Sequence, residues 1–174
     1  MSRADSQPIP NSVARDAGAP IALADIASPL VREGLRYWEE KRGGRPWPTR
    51  DDLIPREIAK FIRNVVLVRT VGGGTDYEFR IVGDAAVAAH GFSFQNMLVS
   101  QLDTKIDGYS TVIKNFYDYV LRKCTAVALR GRLIHVERGY CRHESIYLPL
   151  GPDDKTIDHI FIVAQYEIED RLRG

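Results

Sequence analysis

The chain has little cysteine, no excess of either charge and no long hydrophobic run, and each shortage excludes a class of protein. Its 174 residues include only two cysteines, Cys124 and Cys141, which argues against a disulfide framework and for reduced thiols. The 24 basic and 23 acidic residues give a formal net charge of +1, so we expect no nucleic-acid partner. No apolar run approaches the roughly 18 residues of a membrane span, and the N-terminus lacks a signal-peptide core. We therefore predict a cytoplasmic protein without a membrane span.

The glycine-containing segments also lack the motifs of nucleotide sites and hydrolases. Residues 71–76 (VGGGTD) have no Gly-Lys-Ser/Thr ending, and residues 83–91 (GDAAVAAHG) match neither G-x-G-x-x-G nor G-x-S-x-G. The acidic pairs at 51–52 and 153–154 fall in predicted loops, where neighbouring acids are typical turn formers. We predict no catalytic residue and no enzyme activity, and a small-molecule enzyme is the least favoured alternative.

The hydrophobic pattern changes along the chain from helical spacing to strand spacing. Residues 28–44 predict a helix with an apolar stripe at Val31, Leu35 and Trp38, and Ser28 can cap its first turn. A second stripe at Ile106, Tyr109, Ile113, Phe116 and Val120 predicts a longer helix. Five strands are predicted, at residues 64–71, 77–83, 126–136, 140–150 and 157–168. Short turns between strands and grouped helices indicate an α+β fold: a five-stranded antiparallel sheet with helices covering one face.

Residues 77–91 (YEFRIVGDAAVAAHG) read as a strand, a glycine turn and a short helix that ends at His90. If this helix lines a pocket, the imidazole of His90 can contact a ligand or bind haem iron. The alternative is a histidine favoured by the dipole at a helix C-terminus and capped by Gly91.

A metal cluster is one interpretation of the third and fourth strands. If their hairpin pairs His135 with Cys141, both share a sheet face with His143, and zinc accepts such nitrogen and sulfur ligands. A fourth ligand is missing, and a one-residue change of register breaks the cluster. We favour an ordinary sheet face and predict no metal.

Three segments resemble a bacterial family of stand-alone PAS-like proteins. Residues 35–71 resemble its opening helix, Gly-Gly pair, proline-bearing loop and first strand, and residues 143–151 (HESIYLPLG) resemble its fourth strand. Residues 77–91 resemble its second strand and following helix, with Arg80 and Gly83 at the matching positions. The sequence departs from the family pattern at one place: residues 92–98 (FSFQNML) lack the second glycine that the family usually has there. The resemblance covers roughly residues 28–168.

The resemblance implies a PAS fold and a sensory or protein-interaction role. Prolines and a glycine interrupt any period in residues 1–27, which we predict as an irregular lead-in. We expect an N-terminal helical extension at 28–63 and the PAS-like domain at 64–170. PAS pockets hold haem, flavin, small acids or nothing, so no obligatory cofactor is predicted. Candidate pocket residues are those expected on the covered sheet face and its helices: Phe79, Ile81, His90, Tyr109, Ile113, Phe116, His135 and Tyr147.

Two functional hypotheses remain open. The first is a sensor whose ligand or signalling partner shifts the population of helix arrangements and thereby an interface. The second is an adaptor with a filled core and no ligand. No kinase, cyclase or DNA-binding segment follows the last predicted strand, so we expect output through a partner or a homodimer. Val31, Leu35 and Trp38 are the interface candidates, and the alternative is that their helix caps its own sheet.

Overall fold

An antiparallel sheet lies at the centre of the fold, and the computed structural model describes residues 18–133 and 141–168. Over these residues the sheet has six strands: β1 (Ala19–Ile21), β2 (Val65–Val71), β3 (Asp76–Val82), β4 (Val127–Leu133), β5 (Cys141–Leu150) and β6 (His159–Ile168). Their spatial order is β1-β4-β5-β6-β2-β3, and every neighbouring pair is antiparallel. The predicted α+β class and antiparallel sheet are confirmed.

The predicted number of strands is wrong because the lead-in contributes one. Residues 19–21, placed in an irregular segment, form β1 and pair with β4, with Ala19 opposite Arg130 and Ile21 opposite Ala128. Pro20 has no backbone N–H to donate to a neighbouring strand. Proline is therefore accepted in an edge strand such as β1, where one side has no partner strand. The partner strand supplies the hydrogen bonds that select an extended conformation here, and three residues alone carry no readable period.

Four α-helices and four short 3-10 segments connect the described strands. The helices are α1 (Pro29–Arg42), α2 (Pro55–Ile58), α3 (Asp84–His90) and α4 (Tyr109–Lys123). The 3-10 segments are Leu23–Asp25, Arg50–Asp52, Ala59–Asn64 and Val99–Thr104. None of the helices in the described ranges has the length and apolarity that crossing a membrane requires.

Helices cover both faces of the sheet, which corrects the prediction of cover on one face. Side chains alternate along the strands, so Val66 and Val68 of β2 pack with α3 and α4 whereas Val65 and Leu67 pack with α1 and α2. The same alternation holds on β6. The α1 segment is therefore a second layer of the core and contacts β5 and β6 directly.

The start and the packing of α1 follow from a few residues. As predicted, Ser28 caps the first turn: its hydroxyl accepts a hydrogen bond from the Val31 amide at 3.2 Å. Pro29 occupies the first helical position, which suits its fixed φ. Gly34 faces the sheet so closely that a Cβ there would lie 2.7 Å from Cγ2 of Val163. Gly43 ends the helix with a φ of +56°.

Candidate ligand cavity

A partly open cavity of about 70 Å³ lies between the sheet and the layer that contains α3 and α4. The described part of its wall comes from five strands, both helices and the segment between them: Val66, Phe79, His90, Phe94, Leu102, Tyr109, Ile113, Phe116, Tyr117, Leu133, His143, Ser145, Tyr147, Ile162 and Tyr166. One buried water needs roughly 10–15 Å³ by this measure, so the cavity has room for roughly five waters or a comparably small ligand. Sites for drug-sized ligands typically measure about 300–1,000 Å³, so the cavity between the described residues is small by comparison.

Three polar side chains of β5 face the cavity in a row. His143, Ser145 and Tyr147 are spaced two residues apart, and alternate residues of a strand point to the same side. Nδ1 of His143 lies 3.2 Å from Oγ of Ser145, and that hydroxyl donates to the Tyr147 hydroxyl over a long 3.4 Å. The central strand thus carries a polar line along an otherwise aromatic and aliphatic wall.

His90 is fixed at the end of α3 by its own helix. Its Nδ1–H donates to the backbone carbonyl of Ala86 at 2.8 Å, because a carbonyl can only accept. In the neutral ring, Nε2 is then the nitrogen that carries the lone pair. The imidazole packs edge-on against Phe94 and Tyr166, at centroid distances of 5.1 and 6.1 Å. Gly91 caps the helix with a φ of +82°, so the structure combines the pocket position and the helix-end position that the sequence left as alternatives.

The described wall includes four tyrosines: Tyr109 and Tyr117 on α4, Tyr147 on β5 and Tyr166 on β6. Burial raises the pKa of Tyr117, Tyr147 and Tyr166, and for Tyr117 and Tyr166 the neighbouring tyrosines raise it further. These phenols keep their protons at neutral pH and are therefore hydrogen-bond donors. Tyr77 serves a different purpose, because it donates to Asp118 at 2.6 Å and ties β3 to α4.

Six of the eight predicted pocket residues line the cavity: Phe79, His90, Tyr109, Ile113, Phe116 and Tyr147. Ligand binding by these residues stays a prediction. His135 lies outside the described residues.

Ile81 was placed on the wrong face of the sheet. Leu67 pairs with Ile81 and Val68 with Phe79, which leaves Arg80 as an extra residue in β3. This bulge reverses the alternation after Phe79, so Ile81 packs on the α1 side.

Sequence reasoning missed much of the described wall, including Tyr117, His143 and Ser145 as ligand contacts. Tyr117 follows Phe116 in α4 and falls outside the apolar stripe, although its spacing of four from Ile113 was a usable signal. His143 and Ser145 lie two and four residues before Tyr147 on one strand, so their side chains point to the same face as Tyr147. The sequence could have shown this. Phe94 and Leu102 lie outside the helices and strands of regular period, so their positions depend on the tertiary fold.

The pairing of His135 with Cys141, on which the metal interpretation depended, does not occur, since Cys141 pairs with Leu133. Burial raises the pKa of the Cys141 thiol, which packs against Ala89 and Tyr166. Within residues 18–133 and 141–168 no group of three or more His, Cys, Asp or Glu side chains is arranged to hold a metal ion.

The interface candidates lie inside the molecule. Val31 and Trp38 are 0% and 3% exposed, and Leu35 is half-buried beside them. Nε1 of Trp38 donates to the carbonyl of Pro149 on β5 at 2.8 Å. These contacts are with the chain's own sheet, which leaves Val31 and Trp38 no surface for a second copy in this arrangement.

On the opposite face of β5, Glu144 holds the start of α1. Its carboxylate accepts hydrogen bonds from the amides of Ser28 at 2.7 Å and Ala27 at 3.2 Å. Arg130 of β4 donates to the same carboxylate at 2.7 Å and also to the carbonyl of Asp25. Burial opposes ionisation of Glu144, but the Ser28 amide and the Arg130 guanidinium outweigh it and hold the pKa below its ordinary value. We name this set, Asp25, Ala27, Ser28, Arg130 and Glu144, the α1 anchor.

The antiparallel sheet with helices on both faces is an α+β fold, and a comparison with family models assigns this fold to a known family. Residues 27–163 match the family model described as PAS domain. The chain therefore belongs to the PAS domain family, which comprises sensory and signalling modules in general. A search of curated proteins and a search of solved structures gave no match.

Proposed function

We propose that this PAS domain binds a small ligand in the cavity and signals by repositioning α1. The observation that carries the proposal is the cavity between the sheet and the α3–α4 layer, which has a row of polar side chains on β5 and tyrosine donors around it. Ligand sites are concave, mostly apolar and supplied with a few placed polar groups, and this cavity has each of those properties.

The proposed route of transmission runs through β5. His143 and Ser145 reach the cavity, and Glu144 between them reaches the α1 anchor on the other face. A ligand that pulls on either cavity-facing side chain also shifts the Glu144 backbone, because the three residues are consecutive in one strand. A ligand that prefers one position of β5 therefore changes the population of α1 positions. The predicted homodimer and signalling partner remain predictions, and either would detect that change at α1.

We further propose that the cavity binds without catalysis. On the described wall, His143 and Ser145 are the pair that most resembles a catalytic base and its serine nucleophile. The described wall contains no Asp or Glu, and the Ser145 hydroxyl donates to the Tyr147 hydroxyl. A donor that is already committed to a tyrosine suits ligand binding better than attack on a substrate.

Filling the cavity should abolish ligand binding without removing the fold. Ile113→Trp places an indole in the cavity wall, whereas Thr111→Trp puts the same group on the exposed side of α4. Ligand-observed NMR with a mixture of neutral and charged small fragments should show binding to the wild type and to Thr111→Trp, and none to Ile113→Trp. Overpacking costs about 1–3 kcal/mol of stability, so circular dichroism should first confirm folding of both variants.

Two results would refute the ligand-sensing proposal. One is a wild-type protein that binds no fragment, which favours the adaptor with a filled core. The other is fragment binding that persists in folded Ile113→Trp, which places the site elsewhere.

A further inference from the structure

We propose that the cavity takes a small, uncharged, flat molecule that carries a hydrogen-bond acceptor. The inference rests on the proposed function and adds the chemistry of the ligand. Three properties of the wall lead to it: its charge, its donors and its shape.

The wall is uncharged in character. Among its described residues are two histidines, a serine, four tyrosines and eight apolar side chains, with no Asp, Glu, Lys or Arg. A permanently charged ligand would lose its hydration on entering and gain no opposite side-chain charge in return. A neutral ligand avoids that penalty.

The tyrosine hydroxyls make the wall a donor surface. Neither Tyr117 nor Tyr166 hydrogen-bonds through its hydroxyl to another residue in the described ranges, and Tyr117 is 5% exposed. The Tyr117 side chain is buried and that of Tyr166 is half-buried, and both phenols remain protonated because burial raises their pKa. Since both tyrosines are donors, an acceptor atom on the ligand satisfies them.

The rings around the cavity favour a flat occupant. Phe79 meets Phe94 at 4.7 Å and 77°, and Phe116 meets Tyr147 at 4.6 Å and 78°. Such edge-to-face walls offer both ring faces and ring edges to another planar group. The volume admits roughly five or six non-hydrogen atoms, so the occupant is no larger than one small ring.

Pyridine and benzene test the acceptor directly, because they have the same ring size and only pyridine carries an acceptor nitrogen. In titrations of the ¹⁵N-labelled full chain at pH 7.5, pyridine should bind about tenfold more tightly than benzene. N-methylpyridinium and benzoate, a cation and an anion, should bind more weakly than pyridine. Tyr117→Phe should weaken pyridine about fivefold and leave benzene unchanged. Tyr119→Phe is the matched control on the same helix, away from the described wall, and should change neither affinity.

Each contrary result has a separate meaning. Equal affinities for benzene and pyridine would overturn the acceptor while leaving the cavity a binding site. Tighter binding of either ion than of pyridine would overturn the neutral ligand. Equal losses in Tyr117→Phe and Tyr119→Phe would overturn the donor assignment. A wild-type protein that binds none of the four probes would overturn the proposed function, and this inference with it.

Discussion

Trp38→Ala is expected to lower the free energy of unfolding by about 4 kcal/mol. The indole is 3% exposed and packs in the α1 layer of the core, and its Nε1 donates to the Pro149 carbonyl inside the protein. The substitution removes that packing, leaves a cavity and deprives a buried carbonyl of its donor. Urea unfolding followed by circular dichroism measures the loss.

Trp38→Phe is the matched control, since it keeps an aromatic ring and removes only the donor and part of the volume. We expect a loss of about 1–2 kcal/mol for this variant. Both losses should be independent of protein concentration, because the contacts are within one chain. A Trp38→Ala protein with wild-type stability but altered sedimentation would contradict the intramolecular packing and restore Trp38 as an interface residue.

Glu144→Gln is expected to destabilise the protein by about 2 kcal/mol near neutral pH and to loosen the start of α1. The carboxylate receives two backbone amides and the Arg130 guanidinium, and a neutral amide cannot replace the charge in these bonds. Arg130 is half exposed, so solvent screens part of the ion pair and limits the effect. Glu40→Gln is the matched control, because Glu40 forms an exposed ion pair with Arg36 on the outer side of α1. Its effect should stay below about 0.5 kcal/mol.

The pH dependence gives the Glu144 prediction a second test. The pKa of Glu144 is lowered in the folded protein, so its contribution to stability is complete above the ordinary carboxyl pKa and is lost as the pH falls through the folded value. The stability difference between wild type and Glu144→Gln should therefore shrink as the pH falls from about 6 to about 3. A difference that stays constant over this range would show that Glu144 does not act through its charge.

Local sequence signals predicted the helices that have a repeating hydrophobic stripe or a capping residue. The Ser28 cap, the Gly43 terminus and the stripe through Phe116 and Val120 were all readable because they depend on residues a few positions apart. Residues 65–68 of β2 form a continuous apolar run, which is typical of a strand buried on both faces, and the structure has helices on both sides of it. A strand that is buried on both faces needs cover on both faces, so this run was evidence against helices on one face only.

The features that the sequence did not reveal depend on contacts between residues far apart in the chain. The β1 strand exists because β4 offers it hydrogen bonds, and the bulge at Arg80 follows from how β2 and β3 pair. Ile81 was misplaced for that reason alone. The α1 anchor joins Ser28 to Glu144 across 116 positions, so no local pattern could reveal that this glutamate holds a helix.

Hydrogen exchange at the α1 anchor tests most directly the central claim that β5 links the cavity to α1. The amides of Ala27, Ser28 and Val31 would be followed by NMR with and without saturating pyridine, in wild type and in Glu144→Gln. We expect bound pyridine to change the hydrogen-exchange rates of these amides in the wild type. In Glu144→Gln, pyridine should still bind but should leave these rates unaltered. Changes confined to the cavity wall, with exchange at Ala27 and Ser28 unaltered by bound pyridine, would contradict the account.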